Sequence, residues 1–465
     1  MKGHRNLLAA MRAGEELTSR EEVLLIAQLA LPAIVAQLSS IIMQYIDASM
    51  VGQLGATDSA AIGLVSSTTW LIGGICTSAC MGFAVLIAHR IGAGEDEEAR
   101  NVVKIGLLVA LAISIVFSAF CVIFSGKIPV WLGGDAKVAP RASQYFLIYA
   151  AALPAMQMMY STAGIVEASG NMKLPSILGI LECALDVVFN LVFIFPTRKV
   201  NGITVFGFGM EIRGAALGTA LAEIVAAVTG LIYVLKISKV LRPRAGERMR
   251  DVKLTIKRAF RISIPSAIES LIMGGAQVVS TTIVAPLGAI SIAANSFAVT
   301  AESLCYMPGY GIQSAAVTLI GQCYGAKRHE LTRKLGFLTT LCGIVVMSAA
   351  GVLMYIFAPQ MIGILTPNKV IRDLGTEVLR IEAFAEPMFG ASIVASGVFR
   401  GTGDTLSSMI RNIISMWGVR IPMAAVLSGR LGLRGVWIAM CTELIIRGIL
   451  FLTHLAGGRW DRVKE

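Results

Sequence analysis

Residues 105–125 and 335–357 carry no charged side chain, and each run is long enough to cross a lipid bilayer. A helix rises about 1.5 Å per residue, so about 20 apolar residues span the roughly 30 Å hydrocarbon core. Lipid offers no partner to a backbone amide or carbonyl, so such a segment is a helix or part of a closed barrel. The ten-residue alternation of barrel strands is missing, which leaves helices. Charged residues make up 15% of the 465 positions, against about 25% in a soluble domain. Reading every comparable stretch gives twelve spans: 25–50, 59–88, 103–124, 143–168, 174–196, 213–238, 257–285, 290–322, 335–358, 377–399, 405–428 and 433–456. The expected fold class is an all-α membrane protein with twelve transmembrane helices. The first 22 residues are polar and hold no short apolar core before a cleavage site, so no cleavable leader is expected.

The net charge of +11 is unevenly distributed. Lys and Arg crowd 236–261, which follows an even number of spans and so lies on the N-terminal side. The N-terminus, 89–104, 323–334 and the last residues fall on that side and are also basic. The opposite loops 51–58 and 286–290 have no Lys or Arg, and others there hold a few, among them Lys127, Lys137, Arg198 and Lys199. Excess positive charge marks the cytoplasmic side, so both termini are expected in the cytoplasm and the chain in the plasma (inner) membrane. Topology accounts for the basic residues, and nucleic acid is not expected as a partner. The expected partners are the bilayer and small cationic or amphiphilic molecules, with the chain a monomer.

The chain repeats itself. Residues 32–61 align with 265–294 at an offset of 233 without a gap: Pro32 meets Pro265, Gln44 meets Gln277, and Leu54-Gly55-Ala56 meets Leu287-Gly288-Ala289. The register persists, with Gly92-Ala93 over Gly325-Ala326, Pro154 over Pro387 and Gly170 over Gly403. A repeat of six helices preserves orientation, so the two lobes are related by a pseudo-two-fold along the membrane normal, with a cavity expected between them. The expected divisions are 1–24, a cytoplasmic segment; 25–238, the N-lobe; 239–256, a basic linker; 257–456, the C-lobe; and 457–465, a tail.

Ionisable residues inside a bilayer are costly and need a partner or a function. Asp47 sits fifteen residues after Pro32 in the first span. Glu182, Asp186 and Asn190 follow at four-residue steps on the fifth, so they share a face. Carboxylates with a carboxamide can ligate a hard cation or titrate as a pair, and Thr219 can add a hydroxyl. Asp47, Asp186, Asn190, Glu182 and Thr219 are therefore the candidate ion-coupling set, and Asp47, Asp186 and Asn190 could hold Na⁺. In the C-lobe Glu269 follows Pro265 by a turn, Glu302 precedes Pro308 and Glu386 precedes Pro387. Acids beside prolines point to broken helices around a polar cavity. Pro32, Pro265 and Pro308 are candidate hinges, and Glu269, Glu302, Glu386, Gln44 and Met273 are candidate substrate-cavity residues. Glu443 and Arg447 stand four apart and pair; Arg420 could neutralise a cavity acid; Glu223 reads as structural. Buried acids outnumber buried bases, which suits a cationic substrate and not an anionic lipid-linked one. The eight cysteines form no metal-binding or CxxC spacing and read as packing residues. The four histidines fall in cytoplasmic segments or helix ends. No GxxxxGK[ST] occurs and no catalytic constellation is visible. The chain is expected to be no enzyme and to need no cofactor, drawing on an H⁺ or Na⁺ gradient. A channel or receptor-like scaffold would not need buried carboxylates beside kinking prolines.

Together these residues resemble the multidrug and toxic compound extrusion family. The resemblance covers nearly the whole chain and rests on LALP followed by DASMVGQLG, GAGEDEEAR with its repeat GQCYGAKRHELTR, MPGYGIQSAA, RGTGDTLS and LDVVFNLVFIF. It implies a cation-coupled antiporter that exports organic cations and similar toxic compounds by alternating access, with a lipid or lipid-linked substrate flippase of the same superfamily as the alternative. The family's first-helix acid falls on Asp47, its fifth-helix polar pair on Asp186 and Asn190, and its sixth-helix threonine on Thr219. The pair runs Asp then Asn here, whereas the family branch with a well-formed N-lobe site has Asn then Asp. A glutamate that one branch uses on the seventh helix falls on Met273, with Glu269 one turn earlier.

Overall fold

The computed structural model describes residues 7–200, 203–244 and 246–462. A short helix α1 (Leu7–Arg12) precedes α2 (Ser19–Gly52), α3 (Ala56–Gly92) and α4 (Asp96–Phe124). A single turn α5 (Ile128–Trp131) leads to α6 (Val138–Ala168) and α7 (Lys173–Phe193). An antiparallel hairpin follows, β1 (Pro196–Val200) with β2 (Ile203–Phe208), then α8 (Glu211–Ile232), which ends in a π turn. The second half comprises α9 (Val252–Val284), α10 (Ala289–Gly325), α11 (His329–Leu365), α12 (Lys369–Ala383), α13 (Glu386–Thr402), α14 (Thr405–Ser415), α15 (Ile421–Leu431) and α16 (Leu433–Gly457).

These elements reproduce the twelve expected spans, with α12–α13 making the tenth and α14–α15 the eleventh. Among the described residues eight helices are long and apolar enough to cross a membrane by composition alone. The remaining four spans are α6 and α10, which mix polar and apolar residues, and the two divided spans.

Two compact units partition the contacts. One gathers residues 1–38, 88–95 and 260–465, the other 39–87 and 96–259. The boundary therefore crosses α2, the end of α3 and the start of α9. The first unit packs around Met347, Met354, Phe389 and Trp437 of α11, α13 and α16. The second packs around Val65, Phe146 and Leu153 of α3 and α6.

The prolines behave differently from expectation. α2, α9 and α10 run unbroken through Pro32, Pro265 and Pro308. A proline removes one backbone bond, and in a packed membrane helix neighbouring groups can satisfy the freed carbonyl without ending the helix. Helical structure is interrupted at the third expected acid–proline pair and at one further place. Phe384 and Ala385 separate α12 from α13 immediately before Glu386-Pro387, and a π turn at Met416–Arg420 precedes Pro422.

Candidate functional site

In the second unit the close packing of α7 on α8 creates the polar centre. α8 carries Gly214 and Gly218 four apart, a spacing that lets helix backbones approach. A Cβ at Gly214 would sit 2.5 Å from the Phe193 carbonyl carbon, and one at Gly218 would sit 2.2 Å from Asn190 Oδ1. Asn190 is thereby lodged against α8, 2% exposed. Its Nδ2 donates to Asp186 Oδ2 at 3.0 Å and to Asp47 Oδ1 at 3.0 Å. Asp47 of α2 reaches this point, and the carboxyl groups of Asp47 and Asp186 lie within hydrogen-bonding reach of each other. The Thr219 hydroxyl reaches Asp186 and donates to the Ala215 carbonyl at 3.2 Å. Asn190 Oδ1 accepts no hydrogen bond among the described residues.

Glu182 lies one turn before Asp186, half-buried, and Glu223 of α8 is buried close to both. Among the described residues no Lys, Arg or His forms an ion pair with Asp47, Glu182, Asp186 or Glu223. Four intramembrane acids without a paired base have the chemistry to accept positive charge, as protons or as a cation. No set of three or more His, Cys, Asp or Glu side chains is arranged around a metal position among the described residues. The donor set for a cation there is two carboxylates, a carboxamide and a hydroxyl.

The first unit holds a different cluster. Glu302 of α10, Glu382 of α12 and Glu386 of α13 are buried together; the carboxyls of Glu302 and Glu382 are within hydrogen-bonding reach, and Glu386 faces Glu302. No amide, guanidinium or alcohol among the described residues bonds to Glu382 or Glu386. Arg420, in the π turn, faces Glu302, Glu382 and Glu443. Glu443 is gripped by Arg447 through two bonds of 2.7 Å. That guanidinium also lies 5.6 Å over the Phe389 ring.

Glu269 stands apart from these acids. Its Oε1 accepts from Asn412 Nδ2 at 2.6 Å and from Arg400 Nη2 at 3.2 Å. It ties α9 to α13 and α14, and its charge is matched. Gln44 is exposed on α2 and Met273 half-buried on α9; neither joins the acid clusters. Glu382 is the residue that sequence reasoning missed. Its signals were present: an acid inside the tenth span, four residues before Glu386.

Twelve helical spans in two like sets of six, each set enclosing clustered carboxylates, define a polytopic membrane transporter. The sequence matches the MatE family over residues 32–192 and again over 265–426. The two matches begin 265 − 32 = 233 residues apart, the offset of the internal repeat. The chain belongs to the MatE family. It is 26% identical over 441 residues to a probable multidrug resistance protein NorM of Thermotoga maritima, covering 94% of this chain and 92% of that one. An uncharacterized transporter YisQ of Bacillus subtilis is 24% identical, with 89% and 90% covered. Among solved structures, a MOP superfamily transporter from Pyrococcus furiosus superposes with a TM-score of 0.89 at 20% identity over 99% of both chains. An outward-facing multidrug resistance MATE transporter does so with 0.88 at 19%, over 98% and 99%.

Proposed function

We propose that the protein is a cation-coupled antiporter of the plasma (inner) membrane, both termini cytoplasmic, that exports organic cations and related toxic compounds by alternating access. The observation that carries this reading is Asn190 bridging two intramembrane aspartates that have no paired base. The names of the NorM relatives support the export of drugs. The acids Glu302, Glu382 and Glu386, which outnumber the one base facing them, Arg420, support a cationic substrate. A carrier of anionic lipid-linked substrates would need bases in excess, whereas Arg400 and Arg447 are each taken by a carboxylate and Arg420 faces three.

In the proposed cycle a proton or Na⁺ enters the set Asp47, Asp186, Asn190 and Thr219, with Glu182 one turn away. Neutralising the pair relaxes the bridge from α7 to α2, and α2 bends at Pro32, where one backbone bond is already missing. The bend weakens the hold on the cationic substrate, which leaves on the far side. Loss of the ion to the cytoplasm resets the site. No cofactor enters this cycle, and a single chain suffices for it.

Efflux of ethidium from vesicles tests the reading. Asp47→Asn is expected to bring ethidium efflux down to the level of protein-free vesicles, and wild-type rates in that variant would overturn the mechanism. Imposed pH or Na⁺ gradients in the same vesicles identify the coupling ion: the gradient that drives wild-type efflux and fails with Asp47→Asn is the coupled one.

A further inference from the structure

The amphipathic helix α12 lies along the last turns of α11, and a groove of about 980 Å³ opens between them. Its walls change character along its length. Arg372 and Asp373 stand at the end nearest the α11–α12 loop, Arg380 comes two turns later, and Tyr355 and Phe384 close the opposite end.

This gradient runs along the membrane normal. The charge-free run 335–357 of α11 covers about 34 Å at 1.5 Å per residue, roughly the hydrocarbon thickness. Tyr355 therefore lies near the boundary of the core on the side away from the termini, where aromatic belts sit. The loop end of the groove reaches headgroup level. Below Tyr355, the side chains Val352 and Leu353 are exposed along α11.

The polar groups are poised for a ligand with charges of both signs. Arg380 Nε donates to the Tyr355 carbonyl at 3.2 Å, and the guanidinium lies 5.2 Å over the Tyr355 ring, which packs edge-on against Phe384. That contact positions the fork and uses one of its five N–H donors. The stem of Arg372 runs beside Gly363, 3.6 Å from where a Cβ would be. Among the described residues Arg372 has no ion pair. Glu377 is occupied by Arg434 at 2.7 Å. Two guanidinium groups therefore face one unmatched carboxylate, Asp373. A phosphate suits a pair of guanidinium forks, and a primary ammonium beside it suits Asp373. Phe384, 69% exposed, offers an apolar surface to an acyl chain leaving the headgroup.

We infer that this groove binds one zwitterionic glycerophospholipid with a primary amine, a phosphatidylethanolamine. Its phosphate rests on Arg372 and Arg380, its ammonium on Asp373, and its acyl chains run past Tyr355 and Phe384 onto α11. The inference depends on the membrane topology and not on what is transported.

Native mass spectrometry of the full-length protein, released from nanodiscs of phosphatidylethanolamine, phosphatidylglycerol and phosphatidylcholine in equal parts, tests it. The wild type is expected to retain one phosphatidylethanolamine in preference to the other two. Arg372→Gln with Arg380→Gln is expected to lower that retention by at least about tenfold, since two charge-assisted bonds are lost. Asp373→Asn is expected to keep lipid bound but remove the preference for the amine over choline. Tryptophan-monitored thermal unfolding reports that each variant is folded. Equal retention of all three lipids by wild type and double variant means annular lipid only and overturns the site. Preference for phosphatidylglycerol overturns its zwitterionic character. Displacement by millimolar inorganic phosphate in detergent, with no lipid selectivity, overturns the lipid in favour of a free-anion site.

Discussion

Asn190 can bridge two aspartates because α8 has no side chain at Gly218. A methyl group placed there would meet Asn190 Oδ1 at 2.2 Å and the Asn190 backbone nitrogen at 3.1 Å. The carboxamide would have to swing off the acids, or α7 would have to move. Gly218→Ala is therefore expected to reproduce the coupling defect of Asn190→Ala in vesicle efflux while costing about 1–3 kcal/mol of stability, the usual range for overpacking. Normal coupling in Gly218→Ala would mean that the bridge is dispensable. Asp47, Asp186 and Asn190 were legible in the sequence, because four-residue spacing and an acid within a span can be read directly. Gly218 was not, because its role depends on the distance between two helices. The bonds of Glu269 to Arg400 and Asn412 were hidden for the same reason, with more than 130 positions between the partners.

Among the elements, the basic linker between the halves is more ordered than its composition suggests. The acid Glu247, within a run of arginines, accepts from Arg100 Nε at 2.9 Å and lies 3.4 Å from Lys104 Nζ. Asn101 holds the Arg250 backbone from both sides, at 3.0 Å and 3.1 Å. The Arg100 guanidinium, with further bonds from the Arg244 amide and Lys104, lowers the Glu247 pKa from 4.5 to about 2. A carboxyl depressed in the folded state contributes above its unfolded pKa and loses that contribution as pH falls through the folded value. The linker is thus expected to stay docked on the start of α4 above about pH 4.5 and to loosen between 4.5 and 2. A spin label at the exposed position Met249 should gain mobility over that window in the wild type, and already at neutral pH in Glu247→Gln. Unchanged label mobility in Glu247→Gln would show that Asn101 alone suffices. Reading by charge made this segment a boundary but concealed the acid that anchors it, and the segment packs within the second unit. The prolines misled in the opposite direction, since a missing backbone bond is visible in sequence while the neighbours that replace it are not.

At the scale of the whole molecule, the duplication leaves a trace that can be tested. The offset of 233 pairs His89 with Gln322 and Gly92 with Gly325. His89, Gly92 and Gly325 fall just beyond the expected spans, yet α3 continues to Gly92 and α10 to Gly325. Within the first unit the two helix ends cross almost backbone to backbone. A Cβ at Gly92 would sit 2.1 Å from the Gln322 carbonyl oxygen, and one at Gly325 would sit 2.0 Å from the His89 carbonyl oxygen. Each glycine faces the residue equivalent to the one that its own counterpart faces, as expected where a pseudo-two-fold axis passes through a contact. One crossing is thus made twice, and both glycines control the same separation. Gly92→Ala and Gly325→Ala are each expected to destabilise the protein by about 1–3 kcal/mol. The double variant is expected to cost clearly less than the sum, because the first methyl has already forced the helices apart. Thermal unfolding of the four proteins measures this. Full additivity would mean that each contact is relieved locally and that the axis carries no mechanical coupling. Sub-additivity would show that the repeated punctuation, retained while the acids diverged from Asp47 to Ser280, still acts as a single joint.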